Sequence, residues 1–330
     1  MYNGVIVYVR LYIPIERLSK MNKPAFPPYL ALLIGVLAVS TSAIFVKLSS
    51  APAPITATYR MVFSALLTLP LLYWSPGALR EVARMNRKEW LLTTLSGAFL
   101  ALHFLLWFES LQYTSVASST VLVTLQPLFA FVGGYFLFGE KLRPLAIAGG
   151  LLAIVGSFII GWGDFRIGGM ALWGDILALL GAATVTAYFL IGQYVRRAMS
   201  LTVYTLIVYA ISSLFLIAYD LLLGYPLVGY PGSDWLWFFC LALIPTLLGH
   251  TIFNWAVKWL STSTISMSIL GEPVGTSILA YFILGEIVTL PQWIGGGVIL
   301  LGIFLFIRNN TPGKEVKSDE SVPASAEKPA

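Results

Sequence analysis

The sequence predicts an all-helical integral membrane protein of ten transmembrane helices in two inverted five-helix repeats. Three observations lead there. Hydrophobic residues make up 58% of the 330-residue chain and charged residues 11%, with a mean hydropathy of +0.84, whereas about a quarter of a soluble domain is charged. Ten separate apolar runs are each long enough to cross a bilayer. The second half of the chain aligns with the first at an offset of about 146 residues, the self-similarity expected of a duplicated fold.

Residues 1–28 precede the first strong run. Val5 to Ile15 is apolar but too short to span, and Arg10, Pro14, Glu16, Arg17 and Lys20 interrupt or flank it. It carries no clear small-residue cleavage site. Met21, followed by the basic Asn22-Lys23-Pro24, is an alternative start of translation to Met1. The spans are then predicted at 29–48, 54–74, 90–111, 116–138, 144–162, 170–192, 202–223, 235–257, 262–284 and 291–307. Trp74, Trp90, Trp162, Trp173, Trp235, Trp259 and Trp293 fall at or near span ends, as an interfacial belt requires. The stretch 309–330, rich in Pro, Ser, Lys and Glu, reads as a disordered tail.

Loop charges set the expected orientation. Arg80, Arg84, Arg87 and Lys88 follow span 2, and Lys141 and Arg143 follow span 4. Arg196 and Arg197 follow span 6, Lys258 follows span 8, and Arg308, Lys314 and Lys317 follow span 10. All lie on one side, while the opposite loops hold Arg166 with Asp164 and Asp234. Both termini are therefore expected in the cytoplasm of a cell-membrane protein, and five spans per half make the halves antiparallel. The net charge of +5 belongs to this loop pattern and not to a nucleic-acid surface. A single cysteine, Cys240, excludes an internal disulfide, and two histidines far apart in sequence offer no obvious metal site. No Walker loop or dinucleotide glycine fingerprint occurs, so no cofactor is expected, and neither is ATP-driven pumping by this chain alone.

In the repeat, Pro127 meets Pro273, Tyr135-Phe136 meets Tyr281-Phe282, and Gly139-Glu140 meets Gly285-Glu286. Gly149-Gly150 meets Gly295-Gly296, and Gly156 meets Gly302. Transporters use inverted repeats because exchanging the conformations of the two halves converts one access state into the other.

These residues carry a resemblance. The chain resembles the ten-span EamA-type permeases of the drug/metabolite transporter superfamily over about residues 29–308. In the first repeat the likeness rests on Ala43-Ile44-Phe45-Val46-Lys47, Arg60, the run Ser110 to Ala117, Gln126-Pro127-Leu128-Phe129-Ala130 and Gly139-Glu140-Lys141-Leu142. In the second it rests on Gly174-Asp175-Ile176-Leu177-Ala178-Leu179 with Tyr188, and on Glu272-Pro273-Val274 through Gly285-Glu286. Each motif alone is weak; their order, spacing and duplication are specific. The resemblance implies repeats over 29–163 and 170–308, a central cavity between them, and movement of a solute by alternating access. It leaves the solute open, because such permeases carry amino acids, metabolites, sugars and drugs, and it tilts the direction toward export.

The polar residues inside the spans supply the site candidates. Glu272 stands in an apolar run at mid-membrane depth, where an ionisable side chain costs about 3 kcal/mol or more unless paired, protonated or wetted. Its repeat equivalent is Gln126, so the charge is where the halves differ. It is the first candidate for solute binding or proton coupling; a buried acid sharing its proton with a neighbouring helix is the plain alternative. Thr246, His250 and Asn254 share one face of span 8, and His103 and Trp107 one face of span 3. Either set lines the cavity or hydrogen-bonds between helices. Tyr188 joins Trp107 and Trp255 as an aromatic wall candidate.

Lys47 and Arg60 lie near the outer ends of spans 1 and 2. Lys47 is expected to snorkel. Arg60, about six residues into its span, is expected to point inward, toward a carboxylate or an anionic solute group, with Glu109 and Asp175 as candidate partners in an outer gate. Pro127 and Pro273 each remove a backbone donor and read as static kinks or as hinges. Glu140 and Glu286 end symmetric helices, where the dipole disfavours them, and only loop geometry is assigned to them.

The leading reading is a secondary transporter for a small metabolite, amino acid or drug-like solute, with the bilayer as a second partner and protons as the candidate coupling ion. An uncoupled facilitative carrier or a channel is the alternative, although no ring of repeated charge marks a pore. An intramembrane enzyme is the weaker third, since no metalloprotease or serine-hydrolase motif is present. A scaffold or receptor is disfavoured by the very short soluble portions. Substrate, direction and oligomeric state are not encoded in any motif.

Overall fold

The computed structural model describes residues 24, 26–161, 169–285 and 287–310. The expectations for the N-terminal segment with Met21, for Trp162, Asp164, Arg166 and Glu286, and for the tail with Lys314 and Lys317 lie outside these residues. Ten helices long and apolar enough to cross a membrane occur among them: Pro28–Leu48, Ala53–Trp74, Arg87–Tyr113, Ser118–Phe138, Pro144–Gly161, Gly169–Val195, Leu201–Leu223, Gly232–Ala256, Thr262–Leu284 and Leu290–Asn310. They are spans 1 to 10 below.

At the starts of spans 3 and 8, which differ from expectation, local contacts at the helix start account for the shift. Span 3 begins at Arg87 because the Asn86 side chain accepts from the Glu89 amide at 3.0 Å while Glu89 accepts from the Asn86 amide at 2.9 Å. This reciprocal box satisfies two amides that a helix start leaves open. Span 8 begins at Gly232, with Asp234 in its first turn, where a carboxylate suits the helix dipole. Asp234 also accepts from the amide and hydroxyl of Ser50, tying the span 1–2 loop to span 8.

Five spans are interrupted, among them span 2, made of Ala53–Thr68 and Leu71–Trp74. Span 1 consists of Pro28–Val39 and Ser42–Leu48, span 4 of Val116–Val123 and Gln126–Gly133 with a π-helical end, and span 9 of Thr262–Ile269 and Glu272–Leu284. Pro127 and Pro273 stand in the first turn of the second piece of spans 4 and 9. There the missing N–H is one that a helix start leaves unpaired anyway. The prolines thus begin new helices at equivalent breaks, in place of bending a continuous one. Span 8 carries a π-helical stretch, Ala242–His250, with Pro245 inside it, which the sequence pattern did not announce. The Thr246 hydroxyl donates to the Leu241 carbonyl at 2.9 Å, an acceptor that Pro245 cannot serve.

Repeat-equivalent helices run antiparallel. In spans 2 and 7, Thr58 meets Asp220 and Ser75 meets Thr202. In spans 5 and 10, Gly149 faces the backbone at Gly302 and Phe306, and Gly156 faces Gly295 and Ile299. Spans 3 and 6 pack as spans 8 and 1 do: His103 touches Gly181, as Gly249 approaches Gly35 and Val39. The halves are therefore inverted copies. Spans 5 and 10 depend on glycine. A Cβ on Gly302 would stand 2.5 Å from the Ala153 amide nitrogen and 2.6 Å from the Gly149 oxygen. Backbone cannot yield as a side-chain tip can, so Gly302→Val is expected to cost about 1–3 kcal/mol or more by overpacking. A lowered midpoint of thermal unfolding in detergent, with Gly297→Val as the control, checks this; a Cβ on Gly297 meets nothing within 4 Å.

Candidate functional site

Spans 1, 2, 3, 4, 6, 8 and 9 enclose a cavity lined by Val39 and Ser42, Arg60, His103 and Trp107, Val123 and Gln126, Val185 and Phe189, His250 and Phe253, and Ile269 and Glu272. Its volume is about 20 Å³, room for about one water. The arrangement is closed around its polar groups.

Arg60 is fully buried and anchors one wall. Its Nε donates to the Thr246 hydroxyl at 2.8 Å and one terminal nitrogen donates to Ser42 at 2.7 Å. The guanidinium lies 4.0 Å from the centre of the Phe104 ring, a cation–π contact that partly replaces lost hydration. The other terminal nitrogen, Nη2, has no partner. Pro245, Thr246 and Arg60 thus form one chain of dependence: the proline frees a carbonyl, the threonine takes it, and the same hydroxyl oxygen accepts from the arginine.

The opposite wall is built from two of the broken spans, 4 and 9. Gln126 and Glu272, each in the first turn after its break, are 4% and 5% exposed. A hydroxyl supports each backbone in the same way. Ser40 donates to the Glu272 carbonyl at 3.3 Å, and Thr186 donates to the Gln126 carbonyl at 3.4 Å; Ser40 and Thr186 are themselves about 146 residues apart. Gln126 Nε2 donates at 3.4 Å to the Val123 carbonyl, the acceptor that Pro127 leaves free, while its Oε1 is unpartnered.

Aromatic rings close the remaining sides. Trp107 stacks on His103 with ring centres 5.8 Å apart, and Phe189 stacks on His250 at 6.0 Å. The two histidine rings are 6.2 Å apart. His103 Nδ1 contacts the Gly181 carbonyl at 3.0 Å, so its tautomer carries that proton, whereas His250 Nδ1 and Trp107 Nε1 have no partner.

Of the residues singled out in the sequence, the structure brings Glu272, Gln126, His103, Trp107, His250 and Arg60 to one cavity, with Thr246 directly behind Arg60. It does not bring Tyr188 and Asn254 there: the Asn254 amide donates to the Tyr188 hydroxyl, and both are buried between spans 6 and 8. The expected pairing of Arg60 with Glu109 or Asp175 does not form. Glu109 accepts from Tyr113, and Asp175 accepts from Thr114 and Ser118. Arg60 turns into the bundle, and its hydrogen bonds go to hydroxyls. Lys47 is exposed and donates to the Leu111 carbonyl at 3.3 Å, away from Arg60. Glu140 differs too: its carboxylate turns to Ser261 and Ser263 at the start of span 9, where the helix dipole favours a negative charge.

Ser42, Phe104 and Phe189 were not singled out. Phe104 was recoverable, because it is the repeat equivalent of His250; no pattern distinguishes Ser42 from the other small polar residues of span 1. Arg196 belongs to the loop charges by sequence, yet it is buried and donates to the carbonyls of Asn254 and Met199. Burial lowers its guanidinium to about 10, which leaves it charged at neutral pH. Among the described residues no group of three or more His, Cys, Asp and Glu is placed to hold a metal ion.

An unpartnered buried polar atom costs about 1–3 kcal/mol, so a group of them on residues around one space needs a reason. Here they come in complementary kinds. Arg60 Nη2 and Trp107 Nε1 donate, Gln126 Oε1 accepts, and His250 Nδ1 does one or the other by tautomer. Such a wall is chemically suited to holding a small molecule that carries both acceptors and donors.

The chain matches the EamA-like transporter family twice, over residues 26–162 and 172–308. An uncharacterized transporter of Archaeoglobus fulgidus is 25% identical over 280 residues, covering 83% of this chain and 94% of that protein. The uncharacterized transporter YyaM of Bacillus subtilis is 24% identical over 256 residues, covering 75% of this chain and 82% of that protein. A solved crystal structure is similar with a TM-score of 0.68 at 20% identity, over 84% of this chain and 95% of that one. At that identity the likeness speaks for the fold. The family match covers both five-helix halves, and the chain belongs to the EamA-like transporter family of multi-pass membrane proteins.

Proposed function

We propose that this transporter carries a small solute bearing both hydrogen-bond acceptors and donors, by alternating access through the cavity between Arg60 and Glu272. The observation that carries the reading is the set of unpartnered polar atoms, Arg60 Nη2, Trp107 Nε1, Gln126 Oε1 and His250 Nδ1, on residues that line one closed space. An acceptor group of the solute engages Arg60 and Trp107. A donor group engages Gln126 and Glu272. The rings of Phe189 and Phe253, which line the cavity, exclude water around them. Inverted repeats support access from alternate sides, since each half can take the conformation of the other. Glu272 is the coupling group: among the described residues it is the one carboxyl that lines the cavity, and its repeat equivalent Gln126 cannot ionise. The excess of Lys and Arg in the loops after the even-numbered spans supports cytoplasmic termini in the cell membrane.

Flux into proteoliposomes, measured against a panel of amino acids and polar metabolites with and without an imposed proton gradient, tests this. The expected result is saturable flux of a solute carrying both kinds of group, at a rate that follows the gradient. Flux that never saturates identifies a channel, and saturable flux indifferent to the gradient identifies an uncoupled carrier.

A further inference from the structure

The glycine–glutamate pair that closes span 4, Gly139-Glu140, has no part in the cavity, yet its carboxylate is fully engaged. Glu140 Oε1 accepts from the Ser261 hydroxyl at 2.6 Å, and Oε2 accepts from Ser263 at 2.7 Å. Ser261 is at the same time the N-cap of span 9, accepting from the Thr264 amide. The contact therefore fastens the end of span 4, in the first repeat, to the start of span 9, in the second. Asp175 does the corresponding work at the opposite end of span 4. Its Oδ1 accepts from Thr114 at 2.9 Å and from Ser118 at 2.8 Å, joining the start of span 6, in the second repeat, to the start of span 4, in the first. Glycine permits both approaches. A Cβ on Gly134 would collide with Glu140 Oε2, and one on Gly174 would stand 3.0 Å from the Thr114 amide nitrogen.

We infer that these are two opposed gate latches: Glu140 on Ser261 and Ser263 closes one face of the central cavity, and Asp175 on Thr114 and Ser118 closes the other. Both are closed in this structure, in keeping with a cavity of about 20 Å³. Each crosses between repeats at a helix start, where a carboxylate is favoured by the dipole and by hydroxyl donors together. Opening either face separates the repeats at that end and exchanges its two hydrogen bonds for water. The two latches are not copies of one another, since the repeat equivalent of Asp175 is Tyr29. Their unequal strength then sets which face opens more readily. This inference rests on the alternating-access reading.

The test uses the full chain with Cys240→Ser and a reporter, Val39→Cys, in the cavity wall. A membrane-impermeant thiol reagent is applied to each face of sealed vesicles, and the ratio of labelling rates is measured. Glu140→Ala is expected to shift the ratio on the order of 10-fold toward the face that bears residue 140, and Asp175→Ala to shift it oppositely by a similar factor. Glu140→Gln retains an acceptor and most of the parent ratio. Gly134→Ala displaces the carboxylate without removing it and reproduces the Glu140→Ala shift, which covers the case in which that variant does not fold. Shifts in one direction for both acids, or a ratio unmoved in Gly134→Ala and Asp175→Ala, overturn the latches. Labelling of the parent from one face only, whatever solute gradient is imposed, overturns alternating access instead.

Discussion

Arg60→Ala is expected to lower saturable flux by more than about 100-fold, through loss of a charge-assisted contact to solute of about 1.5–3 kcal/mol together with the order it imposes on its neighbours. The guanidinium is fully buried, holds Thr246 and Ser42 by two hydrogen bonds, and leaves its remaining nitrogen unpartnered on a residue that lines the cavity. Arg60→Lys separates charge from geometry. An ammonium keeps the positive charge but cannot hold Thr246 and Ser42 while presenting a third donor in a fixed plane. The lysine variant should fold, retain flux, and show a KM raised about 10-fold or more with a smaller change in the maximal rate. Initial rates against solute concentration, on protein first shown to be folded by its thermal transition, check both variants. An arginine that merely packs the bundle would move the transition and leave KM alone.

The second large effect is at Glu272. Glu272→Gln keeps the shape of the side chain and makes it match Gln126, so spans 4 and 9 present the same neutral amide at their breaks. Rates driven by an imposed proton gradient are expected to fall at least about 10-fold, while exchange of labelled for unlabelled solute, which needs no net proton movement, is retained. Glu272→Ala should lose both, because the hydrogen-bonding group itself is gone. Parallel measurements of gradient-driven flux and exchange distinguish these outcomes. If Glu272→Gln responds to the gradient as the parent does, the proton is carried elsewhere.

Much of the fold was legible because the bilayer imposes a length and a composition on each span, and because duplication writes the architecture twice. The inversion followed from an odd number of spans per half, and the antiparallel packing of spans 5 and 10 on facing glycines bears it out. Residues whose presence inside a span is itself costly were equally legible. Arg60, Gln126, Glu272 and both histidines stand in the cavity wall. What the sequence could not assign was partnership. Arg60 was matched to Glu109 and Asp175 as the acids expected on its side of the membrane, but which hydroxyls a side chain meets depends on helix rotation and on the π-helical turn at Pro245 that delivers Thr246. Tyr188 and Asn254 lay on the right faces and chose each other. Glu140 was judged by the helix it ends, whereas its carboxylate answers to the helix that begins beside it. Periodicity fixes the face of a helix; the neighbour that fills it is a tertiary fact.

The most direct measurement of the central claim is a structure of the full chain bound to the solute that the flux panel selects. The predicted result places an acceptor atom of that solute within hydrogen-bond distance of Arg60 Nη2, and a donor against Gln126 Oε1 or the Glu272 carboxyl, with the surrounding helices moved apart to admit it. Solute bound outside that cavity, with Arg60, Trp107, Gln126 and Glu272 untouched, would contradict the account.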